Sequence, residues 1–90
     1  MIIKPSTKKG KRLMAIFENG TKVHFGLDGG QTYLEHGDKA KRAAYLARHA
    51  VNEKWDDPYT AGSLSRWLLW GDSQSISTNL EAFKSRFKLK

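Results

Sequence analysis

The sequence predicts a single compact α+β domain in which a β-hairpin packs on about three α-helices. Three observations indicate this fold: two alternating apolar runs joined by Asn19-Gly20, a helix-periodic run that holds all three tryptophans, and a length that suits one domain. We assign residues 1–11 to a flexible basic arm and residues 12–90 to the domain. The chain contains no cysteine, which excludes disulfides and cysteine nucleophiles.

The hairpin is predicted over residues 12–26, because Asn19-Gly20 is a favoured pair for a two-residue turn. Pairing the strands across that turn places four apolar side chains on one face, and we predict them as core: Met14, Ile16, Val23 and Phe25. A hairpin needs further packing to be stable. A third short strand is predicted at residues 31–35, after a glycine-rich loop.

A second element, a helix, is predicted to begin near Thr60 and to end at Gly71, since glycine tolerates the positive φ common at helix ends. Its apolar surface runs almost all the way round and consists of Leu64, Trp67, Leu68, Leu69 and Trp70. Such a helix is expected to lie between other elements rather than on the surface.

Two carboxylates, Asp56 and Asp57, precede the one charged residue of this helix, Arg66. A guanidinium can bind a carboxylate at two points, so we predict a structural clasp among the three side chains. The alternative is that the aspartates are metal ligands or acid/base groups of a small metal-dependent nuclease. No third Asp, Glu or His stands at a spacing that would complete such a site, and we predict no metal.

Asp38 is a suitable N-cap for a helix that runs to about Asn52. At 100° per residue its two faces differ. One face is apolar and suited to close packing, and it carries Ala40, Ala43, Leu46, Ala47, Ala50 and Val51. The other is predicted to be a binding face, because a tyrosine among cations can combine phosphate contacts with stacking, and it carries Lys41, Arg42, Tyr45, Arg48 and His49.

A last helix is predicted from Thr78, which would be its N-cap with Glu81 reaching back in a capping box. Its apolar face would consist of Leu80, Phe83 and Phe87, and cations crowd its C-terminal end.

The net charge of +7 comes in three basic blocks, at residues 1–12, 39–54 and 83–90. Such a distribution attracts polyanions, although solubility alone is an alternative explanation of the charge. The predicted nucleic-acid contacts are Lys8, Lys9, Lys11, Arg12, Lys41, Arg42, Tyr45, Arg48, His49, Lys84, Arg86 and Lys88. No helix-turn-helix or zinc-finger pattern is present, so base-specific recognition is not predicted.

Three stretches form a distinctive series: His24-Phe25-Gly26, then Arg48-His49, then residues 55–70 with Asp57-Pro58-Tyr59-Thr60-Ala61-Gly62-Ser63-Leu64-Ser65-Arg66. Over about residues 12–87 this series resembles a small uncharacterised family of large double-stranded DNA viruses and phages. The resemblance implies a viral source and no catalytic residue.

The function we predict is that of a non-enzymatic, virus-encoded basic protein that binds DNA or RNA with little sequence preference and needs no cofactor. The alternatives are a virion structural protein, such as a minor capsid or cement subunit with capsid proteins as partners, and the small nuclease. No apolar run is long enough for a signal peptide or a membrane span. We therefore expect no membrane association and a location in the host cytoplasm or nucleus, or inside the virion.

Overall fold

A three-stranded antiparallel sheet forms one layer of the protein. The computed structural model describes all of residues 1–90. The strands are β1 (Ile2–Pro5), β2 (Lys11–Ile16) and β3 (Lys22–Leu27), in the order β1-β2-β3. Four α-helices follow: α1 (Tyr33–His36), α2 (Lys39–Ala50), α3 (Ala61–Leu64) and α4 (Ile76–Phe87). The predicted α+β class and the single domain of hairpin and helices are confirmed.

The strand that joins the hairpin to complete the sheet is β1, at the N-terminus. The prediction of a flexible arm over residues 1–11 is therefore wrong for Ile2–Pro5. β1 pairs with β2 from Ile2 opposite Ile16 to Pro5 opposite Leu13. Ile3 packs against the hydrophobic core, and this burial offsets the entropy lost when the chain end becomes ordered. The strand predicted at residues 31–35 is also wrong, because Tyr33–His36 is helical.

The hairpin turn has three residues rather than two, and the register differs by one residue from the prediction. The amide of Phe17 donates to the carbonyl of Thr21 at 2.9 Å, and Gly20 between them has a φ of 88°. Val23 consequently lies opposite Ala15, and Phe25 lies opposite Leu13. A shift of one residue exchanges the two faces of a strand.

The inner face of the sheet is therefore built from odd-numbered residues. Ala15, Phe17 and Phe25 belong to the core cluster, with Leu13 and Val23 packed against it. Of the predicted core set, Met14 and Phe25 are buried, and Val23 packs against the cluster. Met14 is buried but lies outside this cluster, as does the half-buried Ile16.

Short polar side chains set where the first two helices begin. Thr32 and Glu35 form a capping box at α1, in which the Glu35 carboxylate accepts from the Thr32 amide at 2.7 Å. Asp38 caps α2, as predicted, by accepting from the amides of Ala40 and Lys41 at 2.9 and 3.1 Å. These hydrogen bonds hold the pKa of Asp38 below its usual range.

The predicted tryptophan helix begins as expected, with Thr60 as the N-cap of α3. After Leu64 it continues as a π-helical turn, Ser65–Leu69, closed by the amide of Trp70 donating to the carbonyl of Ser65 at 3.0 Å. This run lies at the centre of the molecule, because Leu64, Leu68 and Leu69 are fully buried, as the sequence predicted.

The last helix begins earlier than predicted, because Ser75 rather than Thr78 is the N-cap and accepts from the Thr78 amide at 3.3 Å. The prediction of a capping box at Thr78 is wrong. The apolar face of α4 is as expected: Phe83 is buried, and Leu80 and Phe87 pack against the core. The core thus lies between the inner face of the sheet and the helices.

Candidate nucleic-acid interface

The predicted binding face of α2 is turned largely inward. Tyr45 is only 9% exposed, and its ring stacks on Trp70 with 4.3 Å between centroids and 5° between planes. The imidazole of His49 also stacks on the Tyr45 ring, with 4.2 Å between centroids. The alanine face points to solvent instead, and Val51 is 80% exposed. The buried side of this helix is centred on Tyr45 rather than on the alanines, because aromatic rings bury far more area than alanine methyl groups.

Burial changes the acidity of the Tyr45 phenol. It raises the pKa of the phenol to about 12, mainly because the charged form would lose its hydration. A tyrosine enclosed in this way cannot stack on a nucleobase. The prediction that Tyr45 contacts nucleic acid is therefore wrong.

Arg42 is a structural residue as well. Its Nε donates to the carbonyls of Trp70 and Gly71 at 3.1 and 3.0 Å, and Nη2 forms an ion pair with Asp72 at 2.6 Å. The guanidinium also lies over the ring of Tyr33 at 5.6 Å. These contacts tie α2 to the end of the tryptophan run and leave little of the guanidinium for a phosphate.

Two members of the predicted face remain on the surface. Lys41 and Arg48 are exposed, and neither enters an ion pair within the chain. They flank a groove of about 300 Å³, the Trp70 groove, lined by Gln31, His36, Lys41, Ala44, Arg48 and Trp70. Three of the six lining residues have basic side chains and none has a carboxylate.

His36 forms part of the wall of the Trp70 groove. Its Nδ1 accepts from the amide of Asp38 at 2.9 Å, so in the neutral ring the proton is on Nε2. Nε2 is buried without a hydrogen-bond partner, and the ring packs against Trp70 with 5.4 Å between centroids. The imidazole thus fixes the N-terminus of α2 beside the indole.

The N-terminal basic block divides into paired and unpaired side chains. Arg12 binds the Glu35 carboxylate at two points, with distances of 3.0 and 2.6 Å, and this hydrogen bonding lowers the pKa of Glu35 to about 2. The remaining four side chains are exposed lysines: Lys4 lies in β1, and Lys8, Lys9 and Lys11 lie in or next to the β1–β2 turn.

The β1–β2 turn and the Trp70 groove lie at the same end of the sheet. The amide of Asp28 donates to the carbonyl of Gly10 in the turn at 3.1 Å, and three residues later Gln31 lines the groove. Lys8, Lys9 and Lys11 therefore lie at the same end of the sheet as the groove flanked by Lys41 and Arg48.

The C-terminal basic block lies elsewhere. Lys84 forms an ion pair with Glu81 at 3.3 Å, and the guanidinium of Arg86 lies over the Trp67 ring at 3.7 Å. Lys88 borders a pocket together with Phe17 and Asn19 of the hairpin turn, at the end of the sheet opposite the β1–β2 turn. Lys88 therefore lies at the other end of the sheet from the β1–β2 turn, whereas Arg86 and Arg66 both lie over the Trp67 ring.

The predicted clasp among Asp56, Asp57 and Arg66 does not form. The Arg66 guanidinium lies between two indoles, 5.3 Å from the Trp55 ring centre and 4.1 Å from that of Trp67. It donates to the carbonyl of Trp70 at 3.1 Å, and burial lowers its pKa. Cation–π contacts replaced the predicted ion pair, because stacking buries the guanidinium plane while the aspartates stay in water.

Asp57 has a local role, since its carboxylate accepts from the amide of Tyr59 at 3.0 Å in the turn before α3. No three His, Asp or Glu side chains lie together in a group that could hold a metal ion.

A protein-family model described as a family of unknown function (DUF5754) matches residues 1–49, just over half of the 90 residues. The chain belongs to this family. The matched part of this DUF5754 member comprises the sheet, α1 and all but the last residue of α2, and it contains Gln31, His36, Lys41 and Arg48. Neither the curated proteins nor the solved structures yielded a match.

The family match does not bear on the viral source, which stays a prediction, because the tryptophan-rich part of the viral signature lies outside residues 1–49. No helix of the protein combines the length and the apolar character needed to cross a membrane.

Sequence reasoning missed four of the six residues that line the Trp70 groove: Gln31, His36, Ala44 and Trp70. Gln31 was placed in a strand, and His36 and Trp70 were not predicted to contribute to any site. The one signal that could have located them is Tyr45, because a large aromatic side chain on an amphipathic helix is expected to pack against another aromatic ring. The sequence does not identify Trp70 as that ring.

Proposed function

We propose that this protein is a non-enzymatic, virus-encoded module that binds nucleic acid with little sequence preference. Lys41 and Arg48 bind phosphates at the Trp70 groove, and the lysines of the β1–β2 turn add further phosphate contacts. The observation that carries the proposal is the pair of exposed cations, free of ion pairs, beside a groove without a carboxylate.

The spacing of the pair suits a phosphate backbone. Lys41 and Arg48 are seven residues apart, which is two helical turns or about 10.5 Å along the axis. Successive phosphates of one DNA strand are about 3.4 Å apart along the duplex axis, so the pair spans about three steps. Since Tyr45 and one face of Trp70 cover each other, stacking on bases contributes little. Phosphate contacts of this kind do not distinguish sequences.

Salt dependence of binding tests the proposal. The purified protein is titrated with a random duplex and a random single strand at several salt concentrations, and log affinity is plotted against log salt. Each neutralised phosphate on a duplex contributes roughly 0.9 to the slope. We expect a slope of about 3 or more, reduced by about 2 in the double variant Lys41→Ala/Arg48→Ala.

A control variant with the same net charge separates a site from bulk charge. Lys22 and Lys90 are exposed, and both lie toward the hairpin-turn end of the sheet. Lys22→Ala/Lys90→Ala is expected to keep the parent slope. Equal losses in the two double variants would show that net charge alone attracts the nucleic acid, and no binding at low salt would refute the proposal.

A second candidate function, a virion structural protein, is favoured by the outward face of α2. This face is apolar and exposed, with Ala43, Ala47 and Val51 among its residues. Isolation of virus particles tests it: retention of the protein on washed particles, lost in Ala47→Glu, supports a capsid partner. Its absence from particles would leave the free nucleic-acid-binding protein.

A further inference from the structure

An apolar groove runs along the outer edge of the sheet. It has a volume of about 410 Å³ and lies between β1 and the first turns of α4. Its apolar lining includes Ile3, Pro5, Leu13, Ile76 and Leu80. Of these residues, Ile76 is half-buried and does not pack against the core cluster, so its side chain belongs to the groove rather than to the interior.

The backbone beside this groove has unpaired hydrogen-bonding groups. β1 is an edge strand, with β2 on one side and no strand on the other. The amide of Ser6 donates to the carbonyl of Arg12 across the sheet. Because these directions alternate along an antiparallel strand, the N–H and C=O of Ile3 and the C=O of Pro5 point away from the sheet.

The charges around the groove are all positive. Lys4 is the one lining residue with a charged side chain, and no lining residue has a carboxylate side chain. The N-terminal end of α4, a helix of 12 residues, adds the positive end of its dipole at Ile76 and Ser77. Positive charge around an apolar groove favours a ligand that alternates apolar and acidic side chains.

We propose that this groove binds an extended segment of a partner protein, which adds to β1 as a fourth strand. The segment pairs with Ile3 through two backbone hydrogen bonds and donates a third to the carbonyl of Pro5. Its apolar side chains lie on Ile76 and Leu80, and its acidic side chains face Lys4 on the outer side of the sheet. Main-chain bonds supply the affinity and the groove supplies the preference for side chains.

A second copy of the chain is a poorer occupant of this edge. Antiparallel pairing of two β1 strands about Ile3 places Pro5 opposite Met1, where proline has no N–H to donate. It also brings together two molecules that each carry a charge of +7.

A synthetic peptide provides the test. The probe is the acetylated, amidated hexapeptide Glu-Val-Glu-Val-Glu-Val, titrated into the isotope-labelled full chain and followed by NMR. We expect shifts confined to β1 and the start of α4, with slowed exchange of the Ile3 amide. A peptide of the same composition in blocked order, three glutamates followed by three valines, controls for charge and is expected to bind at least about tenfold more weakly.

Two further changes distinguish strand addition from adhesion to an apolar surface. Methylating the peptide nitrogens on the edge that faces β1 is expected to abolish binding, whereas methylating the alternate nitrogens leaves it intact. Ile76→Asp is expected to weaken binding about tenfold or more, since it repels the acidic peptide, while Val51→Asp, at an exposed apolar position on α2, has no effect.

Several outcomes would overturn the proposal. They are no binding at millimolar peptide, equal binding of both methylated peptides, and equal binding of the blocked peptide. Light scattering tests whether a second copy of the chain occupies the edge. A dimer that forms as the protein concentration rises, and that is lost in Ile76→Asp, would assign the edge to a second copy instead. None of these results depends on nucleic-acid binding.

Discussion

Tyr45 lies flat against Trp70, with 4.3 Å between ring centroids and 5° between ring planes. This stack joins the middle of α2 to the residue that follows the π-helical turn. It determines which side of α2 faces the interior, and consequently which cations remain free. Arg42 and His49 turn inward with the tyrosine, whereas Lys41 and Arg48 stay at the border of the buried side.

The orientation of α2 can be tested by two substitutions. Tyr45→Ala is expected to lower the free energy of unfolding by about 3 kcal/mol, because it removes a buried aromatic ring and leaves a cavity. Ala47→Lys on the exposed face is expected to change it by less than about 0.5 kcal/mol, since both residues are good helix formers. Chemical denaturation measures both. A reversed ranking would mean that the alanine face is the packed one.

The two arginines of α2 are expected to separate stability from binding. Arg42→Lys loses the fork that holds two carbonyls and Asp72, so the free energy of unfolding should fall by roughly 1–2 kcal/mol. Arg48→Ala should leave stability unchanged and weaken binding to a random duplex. Thermal unfolding and a binding titration on both variants check this, and a stability loss in Arg48→Ala would place that side chain in the fold.

The Arg12–Glu35 pair predicts a dependence of stability on pH. The folded protein holds the pKa of Glu35 at about 2, below the ordinary value of 4.5. A lowered carboxyl pKa stabilises the fold above pH 4.5, and this contribution is lost as pH falls toward 2. Solvent screening keeps it below about 1 kcal/mol.

The matched variant for this pair is Glu35→Gln, whose amide oxygen can still accept in the capping box, while the charge and the second acceptor for Arg12 are lost. It is expected to be less stable than the parent protein at neutral pH and equally stable near pH 2. Urea unfolding at several pH values measures the difference. A constant difference across that range would contradict the assigned cause.

Gly71 is required for space rather than for its φ. It does not have a positive φ, contrary to the reason predicted from sequence, and an added Cβ would collide with the backbone carbonyl of Trp67 and the side chain of Asn79. Gly71→Ala is therefore expected to cost about 1–3 kcal/mol of unfolding free energy.

A second glycine provides the comparison. At Gly62 an added Cβ would meet only the carboxylate end of Glu53, a flexible side chain that can move away. Gly62→Ala is expected to be neutral or to stabilise by up to about 1 kcal/mol, since alanine favours the helix. Thermal denaturation of both variants gives the ranking, and equal losses would contradict it.

Local chemistry in the sequence determined much of the fold. Asp38 and Thr60 mark helix starts because a short polar side chain can satisfy a free amide within three residues. Alternation around Asn19-Gly20 marks a hairpin, and the spacing of Leu80, Phe83 and Phe87 marks the packed face of α4. Each of these signals lies within a single helix or hairpin and does not depend on which other elements pack against it.

Only the tertiary structure decided the hairpin register, the pairing of β1 and the orientation of α2. The register depends on whether the turn has two or three residues, and burial of Phe17 accompanies the longer turn. β1 becomes a strand because β2 offers it an edge, and Tyr45 faces inward because Trp70 lies against it. In each case the free energy comes from burying a group against a residue distant in sequence, and the amphipathic pattern of a single segment does not identify that residue.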